Sequence, residues 1–266
     1  MRKSLAILNA TWRAARSYRL RLIASIAALC VVVVPVYFVA NGLQQLMGAK
    51  IVGEGSQYFG FVLVGMVVFS LLSAAVTATP NAISGGISNG SLEALLTTPI
   101  RMPELLLGLS SFDVIWALVR AVVVLAAGAV LGARLVWGSI PLAIAIALLI
   151  VLSYIPFGLI ASAMVLAFRT PGPLPQVILL GSGLLGGVYY PTRVIPGFVR
   201  DLSSIVPLTY GLRALRSVLL DGAPLGSVIG DIAVLAAMTL GLFAIGALAM
   251  QLALRHVRRS GSLTQY

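Results

Sequence analysis

The chain contains six apolar stretches that are each long enough to cross a lipid bilayer, and this feature restricts its fold more than any other. Five of them contain no charged residue, and the sixth, 114–133, is interrupted only by Arg120. A helix needs about 20 residues to cross the hydrocarbon core. Because only 9% of the residues are charged, the surface cannot keep such a chain in water as a soluble globular protein. The sequence therefore predicts an all-α, polytopic membrane protein.

The boundaries of the spans are predicted from the charges and prolines around the apolar stretches. The stretch 135–168 has Pro156 in its interior but no polar turn, so it predicts one kinked helix and not a hairpin. The stretch 55–92 loses its apolar character after Val76, and the residues from Thr77 onward predict a loop. Six transmembrane helices are predicted within a single domain, 1–266, at about 22–44, 58–78, 113–133, 139–168, 174–190 and 228–254.

The distribution of lysine and arginine predicts that both termini lie in the cytoplasm. In that orientation the inner segments carry eleven basic residues and the outer segments six, which agrees with the positive-inside rule. Residues 1–21 place Leu5, Leu8 and Trp12 on one helical face, so they predict an N-terminal helix in the cytoplasmic interface. The alternative is a basic cluster that only sets the orientation.

Few side chains in this sequence can carry out chemistry. The single cysteine, Cys30, excludes a disulfide framework, and the single histidine, His256, excludes a metal site built from several histidines. An intramembrane protease would need a histidine partner for a serine, or paired carboxylates, and neither pattern is present. The chain is too apolar for a nucleic-acid-binding protein despite its net charge of +11. We expect no catalytic residue and no metal site.

Residues 90–104 form a connection that predicts a short helix on the cytoplasmic side. Three leucines form an apolar stripe next to one carboxylate, and prolines end this helix and open the following one. Such an element suits docking into a groove of a partner protein; the alternative is that it packs on the base of its own bundle. The residues concerned are Leu92, Glu93, Leu95, Leu96, Pro99, Pro103 and Glu104.

The connection 191–226 predicts two short outer helices that dip into the membrane and return. Pro196 begins the first and Pro207 the second, and neither is long enough to cross. Non-helical backbone at membrane depth must be covered by protein. We therefore expect the apolar side chains to face the bundle and the arginines to face water or headgroups. The apolar residues are Phe198, Leu202, Leu212 and Leu215, and the arginines are Arg200 and Arg216.

Both connections resemble those of ABC-2 type permeases, the membrane subunits of type-2 ATP-binding-cassette exporters. The run 90–108 is similar to their cytoplasmic segment and the run 187–216 to their C-terminal signature, most of all in daunorubicin-resistance-type and nodulation-type permeases. This chain departs where Leu109 replaces a frequent basic residue and Arg213 a frequent acidic one. The signature residues are Gly187, Pro191, Pro196, Pro207, Tyr210, Arg213 and Arg216.

The resemblance implies an exporter subunit of the bacterial plasma membrane that works as a homodimer, or beside a related permease, on two ABC ATPase subunits. The ATPase would couple through the segment 90–104. The only lysines, Lys3 and Lys50, stand outside any G-x-x-x-x-G-K-[ST] loop, so ATP and Mg are expected on the partner ATPase. This chain is then not an enzyme and binds no cofactor itself. The expected cargo is hydrophobic or amphipathic: a drug, a lipid or a glycolipid.

An ion-coupled secondary transporter without an ATPase is the alternative function. Such carriers place carboxylates or histidines at mid-membrane, whereas Asp113 and Asp231 lie near the ends of predicted spans. Arg120 is the one charge well inside a span, and it shares a helix face with Asp113 and Trp116. Trp116 and Arg120 lie either in the transport path or a subunit interface, or Arg120 extends toward the nearer membrane surface.

Overall fold

The structure is a computed structural model that describes residues 19–51, 53–88, 102–168, 172–194 and 196–260. In this part of the chain the regular structure is helical throughout, with eight α-helices and no strand. The predicted interfacial helix 1–21 falls outside the described residues up to residue 18. The α-helices are α1 (Arg19–Met47), α2 (Tyr58–Ser88), α3 (Met102–Val130), α4 (Ile140–Phe168), α5 (Leu174–Leu185), α6 (Gly197–Ser203), α7 (Pro207–Asp221) and α8 (Leu225–Ser260).

Five of these helices, α1 to α4 and α8, are long and apolar enough to cross a membrane. The remaining predicted span, 174–190, corresponds to α5, which has only 12 residues. At 1.5 Å per residue α5 is about 18 Å long, while the hydrocarbon core is about 30 Å thick. The helical part of this segment therefore covers little more than half of the core.

α2 is longer than predicted, because the residues after Val76 continue the helix as far as Ser88. The prediction of a loop from Thr77 onward is wrong over this range. The Thr77 hydroxyl donates to the carbonyl of Ser73 within the helix (2.7 Å), and Pro80 is buried inside it. Packing against neighbouring helices thus outweighs the low helix propensity of the Pro, Asn and Gly residues. α4, in contrast, is one helix with Pro156 inside it, as predicted.

α2 and α4 form the centre of the bundle. α2 packs on α1, α3, α4, α5 and α7, and α4 packs on α2, α7 and α8. The backbones of α2 and α4 come close together at Gly158, where a Cβ atom would lie only 2.7 Å from the carbonyl oxygen of Ala75. Close approach at small residues is the usual way in which helices pack in membranes.

The outward faces of α1, α3 and α8 are apolar. Phe38, Val122 and Leu240 are each exposed by well over half, and other large aliphatic side chains surround them. Surfaces of this size and character are unfavourable in water and suit the lipid hydrocarbon. Together with the five long helices, they describe a multi-pass membrane protein.

The two predicted short helices of the connection 191–226 are present as α6 and α7, and their packing differs in part from the prediction. Leu212 and Leu215 of α7 are buried in the bundle, as expected. Phe198 and Leu202 of α6 are not: they are 74% and 51% exposed, because α6 contacts the bundle through Ser203, whose hydroxyl donates to the carbonyl of Leu185 (2.7 Å).

Arg216 contradicts the prediction more strongly, because it is buried instead of facing water. Its side chain is 1% exposed. Arg216 lies four residues after Leu212 and three before Leu219, so it shares the buried face of α7 with these leucines. Arg200, in contrast, is exposed as predicted.

Candidate functional site

The predicted coupling residues lie mostly outside the described part of the chain. α3 begins at Met102, so Glu104 stands in its first turn, but of Glu104 only the backbone is described. The role of the segment 90–104 therefore stays a prediction. The other five residues fall within 89–101, about which the structure says nothing: Leu92, Glu93, Leu95, Leu96 and Pro99.

The residues of the predicted C-terminal signature lie around one turn and two helix starts. Gly187 has a φ of 74° in the turn after α5, a conformation that favours glycine, and a Cβ there would lie 2.9 Å from the side chain of Thr192. Pro196 is the N-cap of α6, and Pro207 begins α7, where a missing N–H costs no helical hydrogen bond. Pro191, between the turn and α6 in the sequence, is buried.

Arg216 connects these elements through its guanidinium group. Nη1 and Nη2 donate to the carbonyls of Gly187 and Val188, both at 2.9 Å, and Nε donates to the carbonyl of Phe61 at the start of α2 (3.2 Å). One side chain on α7 thus holds the turn after α5 and the first turn of α2. The carbonyls of Gly187 and Val188 lie outside any helix, so Arg216 supplies donors that the helical ladder cannot.

Two side chains complete the charge balance and packing of this arginine. Nη1 lies 3.6 Å from Oε2 of Glu54, a buried carboxylate in the connection between α1 and α2. The guanidinium carbon stands 3.4 Å from the ring centroid of Phe61, a close cation–π contact. We call the side chains of Arg216, Glu54 and Phe61, with the carbonyls of Gly187 and Val188, the Arg216 cluster.

Further hydrogen bonds support the cluster from its edges. The Tyr58 hydroxyl donates to the carbonyl of Tyr189 (2.7 Å), and the Ser217 hydroxyl donates to the carbonyl of Gly53 (2.8 Å). The backbone N–H of Tyr58 donates to Oε1 of Gln44 at the end of α1 (2.6 Å). The cluster therefore joins four separate parts of the chain: the end of α1, the start of α2, the turn after α5, and α7.

The environment of Arg216 combines desolvation with compensating contacts. Burial lowers the pKa of Arg216 to about 9, and the Glu54 carboxylate acts in the opposite direction. The guanidinium still carries its charge at pH 7. Gly65 allows this packing, because a Cβ at that position would overlap the carbonyl oxygen of Val188 and lie 2.7 Å from Nη2 of Arg216.

Sequence reasoning selected Arg216 but missed the side chains that surround it. Glu54, Phe61, Tyr58 and Gln44 belong to elements more than 150 residues away from Arg216 along the chain. The one available signal is that Glu54 is the only carboxylate between the first two spans.

Comparison with known proteins identifies the family. The ABC-2 type transporter family matches residues 6–220, which is most of the chain. This chain belongs to the ABC-2 type transporter family. It is a membrane transport permease, and the component of such a transporter that it represents is not an enzyme.

Two kinds of relative are similar to this ABC-2 permease. The inner membrane transport permease YadH of Escherichia coli K12 is 25% identical over 191 residues, which cover 70% of this chain and 72% of YadH. The linearmycin resistance permease protein LnrN of Bacillus subtilis 168 is 24% identical over 208 residues, which cover 77% of this chain and 51% of LnrN.

The permease pairs its second signature arginine in a different way. Arg213 lies one turn before Arg216 on α7, and its Nη1 is 3.3 Å from Oδ1 of Asp231 on α8. The Arg213 side chain is 40% exposed and its guanidinium carbon lies 5.8 Å from the ring centroid of Tyr210. Arg213 therefore forms an ion pair with α8.

Trp116 and Arg120 lie on α3, as predicted, at the edge of the face that packs on α2. The arginines of α7, Arg213 and Arg216, make cation–π contacts, whereas Arg120 and Trp116, both described, are not stacked on each other. Nε of Arg120 is buried and has no hydrogen-bond acceptor. Arg120 thus differs from both arginines of α7, whose charges are paired.

One cavity of about 60 Å³ lies between the second half of α2, the end of α4 and the start of α5. Thr77, Asn81 and Gln176 supply polar groups to its wall, and no ionisable side chain lines it. Within the described ranges, no group of three or more His, Cys, Asp or Glu residues could hold a metal ion.

Proposed function

We propose that this permease is the membrane subunit of an ATP-driven exporter that moves a hydrophobic or amphipathic molecule. The family match over residues 6–220 carries the proposal. The similarity to the inner membrane permease YadH supports a location in a bacterial inner membrane. The similarity to the linearmycin resistance permease LnrN supports a drug-like cargo. Both termini are placed in the cytoplasm, because this orientation puts most lysines and arginines inside.

The energy source in this proposal is a separate ABC ATPase with its own ATP and Mg. Residues 90–104 would dock on it: Leu95 and Leu96 fill an apolar groove, and Glu93 pairs with a basic residue at the rim. α2 ends at Ser88, just before this segment, and α3 begins at Met102, within the last three residues of the segment. A load on the segment would therefore act on the ends of two spans that pack on each other. Two ATPase copies and two permeases, alike or related, complete the assembly.

The described ionisable residues favour this function over ion coupling. A proton- or sodium-coupled carrier needs an acidic or histidine site inside the membrane. α2 contains no charged residue, and Asp231 on α8 pairs with Arg213. Glu54 pairs with Arg216 at the start of α2. These carboxylates serve ion pairs and are not available as a coupling site at mid-membrane.

Co-purification tests the proposal. The tagged permease is purified from its native membranes, and the bound proteins are searched for one that carries a G-x-x-x-x-G-K-[ST] loop. The double variant Leu95→Ala/Leu96→Ala should lose most of this ATPase, because truncating buried anchors costs about 2 kcal/mol or more each. Leu252→Ala, an exposed leucine near the same predicted side of the membrane, is the control and should retain it.

Glu93 separates binding from coupling. Glu93→Ala should leave most of the ATPase bound and reduce efflux more than it reduces ATP hydrolysis, because a rim carboxylate contributes mainly to register. Undiminished ATPase binding and efflux in the Leu95/Leu96 double variant would remove the segment from the mechanism.

A further inference from the structure

Arg120 lies near the middle of the membrane-spanning part of α3. The part of α3 that is long and apolar enough to cross a membrane includes Asp113 to Val130, and the uncharged residues from Leu105 onward precede it. At 1.5 Å per residue, Arg120 is about 15 Å from Val130, which is half the thickness of the hydrocarbon core. A charged side chain at this depth is unfavourable in hydrocarbon unless it is paired or solvated.

The helices that pack on α3 supply no counterion for this charge. α3 packs on α1 and α2. α2 contains no charged residue, and the charged residues of α1 are the basic Arg19 and Arg21. On α3 itself, Asp113 is near enough for electrostatic attraction, but the two groups form no ion pair within 4 Å. The ion pairs Arg213–Asp231 and Arg216–Glu54 do not involve Arg120.

The remaining polar contacts of Arg120 are also incomplete. Its Nε atom is buried without an acceptor, although a guanidinium presents five N–H donors. The neighbouring Val119 and Val122 are exposed on the lipid-facing side of α3. A donor group without a hydrogen-bonded counterion therefore stands beside an apolar surface, and an anionic amphiphile complements this pattern.

We propose that Arg120 binds the anionic group of an amphipathic molecule within the membrane, with the guanidinium on a phosphate or carboxylate and the hydrocarbon chain along the exposed face of α3. This inference rests on the proposed function, because it assigns a negative charge to an amphiphile that the permease handles. A planar guanidinium can donate two parallel hydrogen bonds to either anion. The anion replaces the missing counterion.

A second copy of the chain is a poorer source of a counterion for Arg120 than an anionic amphiphile. Among the seven carboxylates, Asp231 and Glu54 are already paired with arginines. Asp113 of another copy would lie at the same depth as in this one, about two helical turns from the level of Arg120. Asp113 of a second copy is therefore treated as an outcome of the test.

Photolabelling measures the proposed binding directly. The full-length permease is reconstituted in phosphatidylcholine vesicles at pH 7 with a long-chain alkyl phosphate that carries a diazirine in its chain, or with the matching alcohol. Labelling of α3 is quantified by mass spectrometry. We expect the phosphate probe to label wild type about tenfold more than the alcohol, since one charge-assisted interaction corresponds to about a factor of ten. In Arg120→Gln the ratio should fall to about one.

Control variants separate the charge of Arg120 from charge in general. Arg134→Gln removes an exposed arginine just beyond α3 and should keep the wild-type ratio. Arg120→Lys keeps the charge and should keep a clear preference for the phosphate, even if Arg120→Gln inserts poorly. Phosphatidylglycerol added as a competitor distinguishes two sources of the anion: competition assigns the site to lipid phosphates, and no competition assigns it to single-chain amphiphiles. Both results support an anion site.

Three outcomes would overturn the proposal. If the ratio of phosphate to alcohol labelling in wild type is near one, Arg120 reaches a membrane surface and binds no anion within the membrane. If Arg120→Gln leaves the ratio unchanged, the preference for phosphate comes from another residue. If the ratio is one in wild type and rises only in Asp113→Asn, Asp113 is the counterion of Arg120. The labelling needs no ATPase and no transport. Loss of ATPase binding in the Leu95/Leu96 variant would therefore leave it unchanged, and the two hypotheses fail independently.

Discussion

Replacing Arg216 by leucine tests whether the buried cluster holds the permease together. The substitution removes three hydrogen bonds to backbone carbonyls and leaves Glu54 buried without its counterion. Breaking a buried ion pair from one side costs about 3–5 kcal/mol in soluble proteins. An unpaired buried acceptor costs about 1–3 kcal/mol, so losing the donors to the carbonyls of Gly187 and Val188 is consistent with the upper part of that range. We expect Arg216→Leu to lower the free energy of unfolding by about 4 kcal/mol.

Arg213→Leu is the matched control, because it makes the same change one turn earlier on α7. Arg213 also has an ion-pair partner, Asp231 at 3.3 Å, but its side chain is 40% exposed. Partly exposed pairs contribute about 0–1 kcal/mol, so this variant should unfold almost like wild type. The difference between the two variants then measures burial and not the mere presence of an arginine on α7.

The assay is reversible unfolding in mixed detergent micelles, followed by the tryptophan fluorescence of the full-length chain. Glu54→Gln keeps the volume of the side chain and removes its charge, so it should destabilise the protein less than Arg216→Leu. In the double variant Glu54→Leu/Arg216→Leu, part of the loss should be recovered, because no buried charge remains without a partner. If Arg216→Leu and Arg213→Leu lost equally little stability, the cluster would not be a structural element of the permease.

Two further predictions follow from the packing and the orientation. Gly65→Ala should destabilise the fold by about 1–3 kcal/mol, because the new methyl group meets a backbone carbonyl and the Arg216 guanidinium. Gly85→Ala on the same helix has open space and should stabilise the fold slightly. Thermal unfolding in detergent compares the two variants, and equal effects would contradict the packing at Gly65. A reporter fused after Tyr266 should be active only in the cytoplasm, and activity on the opposite side of the membrane would reverse the proposed topology.

Much of the helical architecture could be predicted from the lengths of the uncharged stretches in the sequence. The hydrocarbon core imposes a minimum of about 20 apolar residues on a crossing helix, so long helices between charged residues are expected from the sequence alone. α4 agrees with its predicted range to within one residue at its start. α2 does not, because a sequence window cannot show that residues after Val76 pack on α4 and remain helical through Pro80.

The cluster could be predicted only in part, because charge was given more weight than spacing. Arg216 stands four residues after Leu212 and three before Leu219, and this spacing alone places it on the buried face. The assumption that arginines avoid the interior holds unless they find partners. Its partners are a carboxylate in the first connection and carbonyls of a distant turn, and no local pattern indicates contacts at that separation.

The orientation of α6 shows a different limit. Phe198 and Leu202 share one side of this short helix, as their spacing predicts, but that side faces outward, and Ile205, just after the helix, is 69% exposed. In a soluble protein an apolar face indicates the core. In a membrane protein lipid is as apolar as the core, so periodicity identifies the face and leaves its direction open. The polar residue Ser203, which donates to the carbonyl of Leu185, decides the direction here.

α2 connects the two parts of the molecule that the sequence selected separately. Its first turn supplies Phe61 to the Arg216 cluster, and its last residue, Ser88, directly precedes the predicted coupling segment. As a helix of 31 residues it is about 46 Å long, more than the thickness of the hydrocarbon core. The predicted loop from Thr77 onward would have interrupted this connection about 28 Å from the start of the helix and about three turns before Ser88. Because the helix is continuous and packs on five others, we expect a displacement of its end at Ser88 either to move the cluster or to bend α2. Pro80 is the position for such a bend, because a backbone hydrogen bond is already missing there.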